Sequence, residues 1–169
     1  TRITTMAALA ACEAIEAVTQ QQPQIKWVND IFLEGKKVCG ILTEGSFNLE
    51  TGQLDDVVVG VGFNVYPPAG GFPPEIAEIA DSILQKQHSG TKNKLAAAFL
   101  NFFFQIYRGE NDYASAYRAR SMVIGKSIVV STPTASRNAS ALDIDRDCRL
   151  IVRYEDGSIA SLSSAEVSI

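Results

Sequence analysis

Ten residues, DVVVGVGFNV (Asp56–Val65), constrain the fold more than any other stretch of this chain. β-Branched side chains dominate the run and favour extended backbone. Its apolar character is nearly continuous, so it reads as a central strand rather than a half-exposed one. Side chains alternate along a strand. Gly60, Gly62 and Asn64 therefore share one face, and Val59, Val61 and Phe63 share the other. Two glycines in step leave a strip free of side chains, where a flat ligand can lie against backbone. Asn64 gives that strip a polar end with both donor and acceptor.

The preceding segment, KWVNDIFLEGKKVCGILTEG (Lys26–Gly45), supplies strands to pair with it. Ile25–Val28, Asp30–Leu33 and Lys37–Glu44 read as strands, the last two joined by the turn pair Glu34-Gly35. A two-residue loop sets Leu33 opposite Lys36, Phe32 opposite Lys37 and Asp30 opposite Cys39. Opposed residues share a face, so Lys26, Asp30 and Lys37 are expected on one side. Trp27, Ile31, Val38 and Leu42 are expected on the other, anchoring the sheet in the core. A three-residue loop or a bulge at Asn29 would break this register. Upstream, Thr4 or Thr5 is expected to cap a helix reaching about Thr19. Gly45–Gln53 reads as a polar hairpin loop.

Downstream, YPPAGGFPP (Tyr66–Pro74) is a loop by composition. Helices are expected over Pro74–Gln87, Lys92–Tyr107 and Asn111–Met122. In the second, Leu95, Phe99, Phe102, Phe103 and Ile106 keep the spacing of a buried face. From Lys126 onward every segment is short and β-like, which predicts a small barrel of about five strands. The chain thus divides into residues 1–122 and 123–169. The shorter part is too small to bury much core alone and is expected to dock on the larger.

Composition narrows the function. The 169 residues carry Lys+Arg 15 against Asp+Glu 19, a net charge of −4, which argues against a nucleic-acid or anionic-membrane surface. The longest apolar run, Leu95–Tyr107, is interrupted by Asn101 and Gln105 and falls short of the ~20 residues that span a bilayer. Cys12, Cys39 and Cys148 lack metal-ligand spacing and read as free thiols of a reducing, cytoplasmic setting. The chain opens TRITTM, already a helix start, which suggests a fragment.

In this order and at compatible spacing, KWVND, GKKVCGILTE and VVVGVGFNV resemble the catalytic domain of biotin protein ligases, also called biotin–[acetyl-CoA-carboxylase] ligases. The resemblance implies the α+β fold shared with class II aminoacyl-tRNA synthetases, followed by an SH3-like C-terminal domain. It implies ATP and Mg²⁺ as cofactors, biotin as substrate, and formation of biotinyl-5′-AMP. It implies transfer to a lysine of a biotin carboxyl carrier protein, and it admits a homodimer. By the same match, Lys37 contacts the biotin carboxylate and acyl-phosphate oxygen, and Lys26 lies near the phosphates. Asp30 completes the catalytic set on the ATP and Mg²⁺ side. Asn29 and Asn64 match nucleotide contacts, while Gly40, Gly60 and Gly62 match positions where biotin lies close to the sheet. Tyr66–Pro74 corresponds to a loop that orders over the adenylate, with Phe72 placed to stack.

The chain departs from the family pattern in three places. Val28 stands where KWPND has proline, and its β-branched side chain is expected to keep the backbone extended. The glycine/arginine-rich biotin loop, expected upstream of Thr1, is absent from these residues, as is a helix-turn-helix. The charge-assisted contacts of that loop contribute about 1.5–3 kcal/mol each, so the 169 residues alone are expected not to complete the adenylate. Two other readings stand beside this one. A lipoate–protein ligase shares the adenylation logic, and a noncatalytic dimerisation or carrier-docking remnant needs none of it.

Overall fold

The structure is a computed structural model describing residues 2–48, 50–109 and 112–169, without the side chain of Phe47. Helix α1 (Arg2–Thr19) is built on alanine, the best helix former. Ala7, Ala8, Ala10, Ala11 and Ala14, with Leu9, Cys12 and Ile15, are buried. Thr5 lies inside the helix rather than at its cap, donating its hydroxyl to the Arg2 carbonyl at 2.9 Å.

Strands β1 (Gln24–Lys26), β2 (Asp30–Leu33), β3 (Lys36–Phe47) and β4 (Leu54–Phe63) form an antiparallel sheet in that order. The strand expected to reach Val28 stops at Lys26, because Trp27–Asn29 make the turn into β2. Val28 therefore sits in a turn and not in extended backbone. Glu34-Gly35 forms the two-residue loop, with φ of 49° and 80°, the left-handed pair that such hairpins require.

Leu33 opposes Lys36 and Phe32 opposes Lys37 as the sequence predicts, but Asp30 opposes Gly40 and Ile31 opposes Cys39. β3 has one residue more than β2 between Lys37 and Cys39, a bulge at Val38 that re-aims the rest of the strand. Val38 and Cys39 are consecutively buried. Ile41 then faces the core, while Leu42, expected there, is 61% exposed. β4 is an edge strand, not the expected central one. Val57, Val59, Val61 and Phe63 are half-covered, while Val58, Gly60 and Gly62, on the other face, are exposed.

Helix α2 (Thr91–Tyr107) packs on α1 and buries Leu95 and Ile106. Phe99 meets Phe63 of β4 edge to face, with centroids 6.0 Å apart. The helix expected over 74–87 does not form; the stretch is a series of turns that pairs Ala80 with Lys37. Helix α3 (Tyr113–Ala119) is shorter than expected and is capped by Asp112, whose carboxylate accepts from the Ser115 amide; Asn111, its expected start, lies outside the described residues. No helix among the described residues is long and apolar enough to cross a membrane.

The second sheet has five antiparallel strands: β5 (Ser127–Ser131), β6 (Ser136–Ile144), β7 (Leu150–Tyr154), β8 (Ile159–Leu162) and β9 (Glu166–Ser168). Their order is β8-β7-β6-β5-β9, so the sheet curls without closing into a full barrel. Ile128, Val130, Ala141, Leu150, Val152 and Val167 fill its inner side.

Candidate active site

One face of the first sheet lies on the helices and the other is open. The open face collects the residues singled out by sequence. Lys26 opposes Asp30, Asp30 opposes Gly40, Gly40 opposes Gly62, and Leu42 opposes Gly60. A continuous row across four strands thus runs from charge to bare backbone. The Val38 bulge makes this alignment, because without it Lys37 and Gly40 would face opposite sides.

At the centre, the Lys37 ammonium pairs with the Asp30 carboxylate at 2.6 Å. A Cβ built on Gly40 would stand 3.3 Å from Lys37 Nζ and 3.6 Å from Asp30 Oδ1, so the ion pair rests on the glycine. The side chains are 42% and 21% exposed, accessible enough for an anion to reach the ammonium. At Gly62 an added Cβ would touch only the Gly40 carbonyl, at 3.8 Å, so that floor is open. Lys26 lies over the Phe32 ring, with Nζ 6.0 Å from its centroid, within cation–π reach.

Lys37 is clamped through its backbone. Its amide donates to the Ile79 carbonyl at 2.8 Å, and its carbonyl accepts from the Asp81 amide at 3.0 Å. Asn64 Nδ2 donates to the carbonyls of Asp81 (3.1 Å) and Lys37 (3.4 Å). Asn29 Nδ2 likewise donates to the Ile41 carbonyl at 2.7 Å. Both asparagines expected at a nucleotide therefore commit their amide donors to backbone, and their visible work is to hold the frame.

The Cys39 thiol, beside this centre, is pushed up to about 12 by burial, with the Lys37 charge opposing. It stays protonated and is a poor nucleophile. Phe72 does not lie over the glycines. With Val59, Val61, Phe63 and Phe99 it lines a groove of about 790 Å³ on the valine side of β4. Among the described residues no three His, Cys, Asp or Glu side chains gather as metal ligands.

Sequence reasoning missed two supports. The Ile79–Asp81 clamp was hidden because EIAEIADSIL has helical apolar spacing. The second support holds the turn between Lys26 and Asp30. Trp27 Nε1 donates to the Cys148 carbonyl at 2.9 Å, and the Tyr117 hydroxyl donates to the Val28 carbonyl at 2.9 Å. Ile25 exchanges backbone bonds with Arg120 and Met122 (2.8 and 3.0 Å). The Tyr113/Tyr117 spacing announced packing, and nothing in it named a carbonyl partner.

Comparison with known proteins adds an independent line. The model of the Biotin/lipoate A/B protein ligase family matches residues 2–64, and that of the Biotin protein ligase C terminal domain matches residues 123–169. The Bifunctional ligase/repressor BirA of Bacillus spizizenii is 30% identical over 99% of this chain and 53% of its own length. A Biotin--[acetyl-CoA-carboxylase] ligase of Paracoccus denitrificans is 31% identical over 79% of this chain and 58% of its own. The chain thus spans about half the length of the curated relatives it matches. A biotin protein ligase from Aquifex aeolicus, solved in complex with biotin and ATP, superposes with a TM-score of 0.76. The alignment covers 99% of this chain and 70% of that one at 20% identity, a likeness of fold.

Proposed function

The chain belongs to the biotin protein ligase family, and on that premise we propose that it carries the phosphate-and-carboxylate half of an ATP-dependent biotin ligase site. The observation that supports this reading most is the Lys37 ammonium, held over Gly40 by Asp30 and facing the bare strip of Gly62 and Gly60.

The chemistry needs such an arrangement. A carboxylate oxygen of biotin attacks the α-phosphorus of ATP and the bond to pyrophosphate breaks, giving the mixed anhydride biotinyl-5′-AMP. Both reactants are anionic, so positioning and fixed positive charge carry most of the catalysis. Asp30 keeps the Lys37 chain extended across the glycine. An incoming carboxylate or phosphoryl oxygen then takes over the ammonium, whose charge offsets what develops in the transition state. Lys26 supplies a second cation at the nucleotide side. Gly62 and Gly60 let a flat bicyclic acid lie against the sheet. In a second step the amine of a carrier-protein lysine attacks the acyl carbon, the bond to phosphate breaks, and AMP leaves.

The donor set fits a Mg²⁺ ion only as a partial ligand shell. Asp30 offers one carboxylate, consistent with an ion that keeps its waters and binds mainly through substrate phosphates. Its chemistry would be to neutralise those phosphates, and Asp30 is the residue that would hold it.

The test is made on the longest open reading frame that contains these residues. Isothermal titration with biotin and with Mg·ATP is expected to show one site for each. Mass spectrometry after mixing is expected to show biotinyl-5′-AMP, and addition of a biotin carboxyl carrier domain to show a biotinylated lysine. Absence of biotin binding sinks the proposal.

A further inference from the structure

We infer that Tyr117 and Trp27 are positioning residues, joining α3 and the second sheet to the turn that presents Lys26 and Asp30. The inference rests on the functional reading above for the ligands involved, and on the structure for the mechanics.

Lys26 and Asp30 are the last residue of β1 and the first of β2, and they face each other across a three-residue turn. Turns between short strands are ordinarily soft. This one is held from two sides. Inside the sheet, the Asn29 side chain donates to the Ile41 carbonyl, and the Asn29 carbonyl accepts from the Ile41 amide at 3.0 Å. From outside come the two long-range bonds, Trp27 Nε1 to the Cys148 carbonyl and the Tyr117 hydroxyl to the Val28 carbonyl. Three successive turn residues are thereby tied to three different elements.

The anchors themselves are rigid. Tyr117 is fully buried and Trp27 nearly so. Burial holds the Tyr117 phenol far above its ordinary range, so it remains a hydroxyl donor at every physiological pH. Cys148, whose carbonyl receives the indole, has a left-handed φ of 59° and sits in the connection between β6 and β7. Arg118, one residue after Tyr117, pairs with Asp143 of β6. The second sheet therefore reaches the Lys26–Asp30 turn by two routes, one direct and one through α3.

The Lys37 backbone does not depend on these bonds, although its ammonium still pairs with Asp30. Its own clamp comes from Ile79, Asp81 and Asn64. The consequence is a graded division of labour: loosening the turn disturbs the nucleotide side of the site more than the biotin side, whose backbone frame is clamped separately.

Two measurements test this, with Tyr117→Phe and, separately, Trp27→Phe, each removing one donor while keeping a ring. The first is hydrogen exchange on the 169-residue chain. Amides of residues 26–30 are expected to exchange about tenfold faster, the scale of one lost buried hydrogen bond, while residues 38–44 and 128–131 stay close to the parent rate. Unchanged exchange at 26–30, exchange raised everywhere alike, or failure of both variants to fold overturns the inference. The second is titration of the open-reading-frame product. Mg·ATP is expected to bind about fivefold more weakly and biotin within about twofold of the parent. Equal loss of both ligands, or no change in Mg·ATP, also overturns it. If the parent binds neither ligand, the functional reading fails, and the exchange result alone decides whether the turn is held from α3 and the second sheet.

Discussion

The two sheets obey the same alternation rule to different ends. In the second, the inner positions are apolar and buried and the outer ones mostly polar, with Val129 and Ile159 as exposed exceptions, and exposed pairs such as Arg137–Asp156 dress the rim. In the first, one face obeys the rule and the other breaks it. Its open side carries a lysine–carboxylate pair, three glycines and an exposed leucine where a stable domain would place a covering layer. Near-regularity marks the second sheet; departure from it marks the surface proposed to bind.

The contrast can be broken most sharply at Lys37. In the open-reading-frame product, Lys37→Ala is expected to raise the adenylation barrier by about 2.7–4 kcal/mol, the scale of a lost oxyanion donor, with little change in melting temperature. Single-turnover kinetics and calorimetry on one preparation measure both. Adenylation at the parent rate removes Lys37 from the mechanism.

The mirror-image experiment is Val152→Ala in the second sheet, where the side chain is fully buried. Loss of two methyl groups and the resulting cavity should destabilise by about 2 kcal/mol, read by urea unfolding. Ligand affinities measured well below the midpoint should hold.

Gly62→Val sharpens the comparison from within the first sheet. The added side chain meets only the Gly40 carbonyl at ordinary contact distance, and valine suits a strand, so folding should be unharmed. Biotin affinity should fall about tenfold, near 1.4 kcal/mol, and titration that finds parent affinity would mean biotin does not lie there.

The smallest effect concerns pH. Arg120 hydrogen-bonds Glu16 at 2.5 Å and lowers its carboxyl below the usual range. A depressed folded-state value adds stability above the unfolded value, about 4.3, and loses it as pH falls through the folded one. Glu16→Gln should flatten that part of the acid-unfolding curve by a few tenths of a kcal/mol, the scale of a partly exposed pair. An unaltered slope between pH 5 and pH 3 (roughly the window set by the glutamate value) speaks against the pair.

Much of the site was legible because local rules decided it. Glu34-Gly35 specified the turn, and the turn specified Phe32 against Lys37. The two-residue spacing of Gly60 and Gly62 placed them together, away from Val59 and Val61. Long-range choices were not legible. Val38 looks like any strand valine, yet it is the extra residue that turned Leu42 outward. Asp56–Val65 looked central because burial was inferred from apolarity alone, whereas the strand lies at the edge and leaves its glycine strip exposed. Ile76, Ala80 and Ile83 repeat at helical spacing, but the backbone bonds offered by Lys37, Asn64 and Val65 capture Ile79–Leu84 instead, a tertiary pairing that outweighs weak propensity.

That extra valine acts as a parity switch. Every side chain beyond it owes its orientation to an odd count, so trimming one residue from the Lys37–Gly40 interval would transpose the open surface with the hydrophobic interior over the rest of the strand. A single-codon deletion there is therefore expected to harm the fold far more than a conservative substitution, and tolerance to indels should drop abruptly at this position.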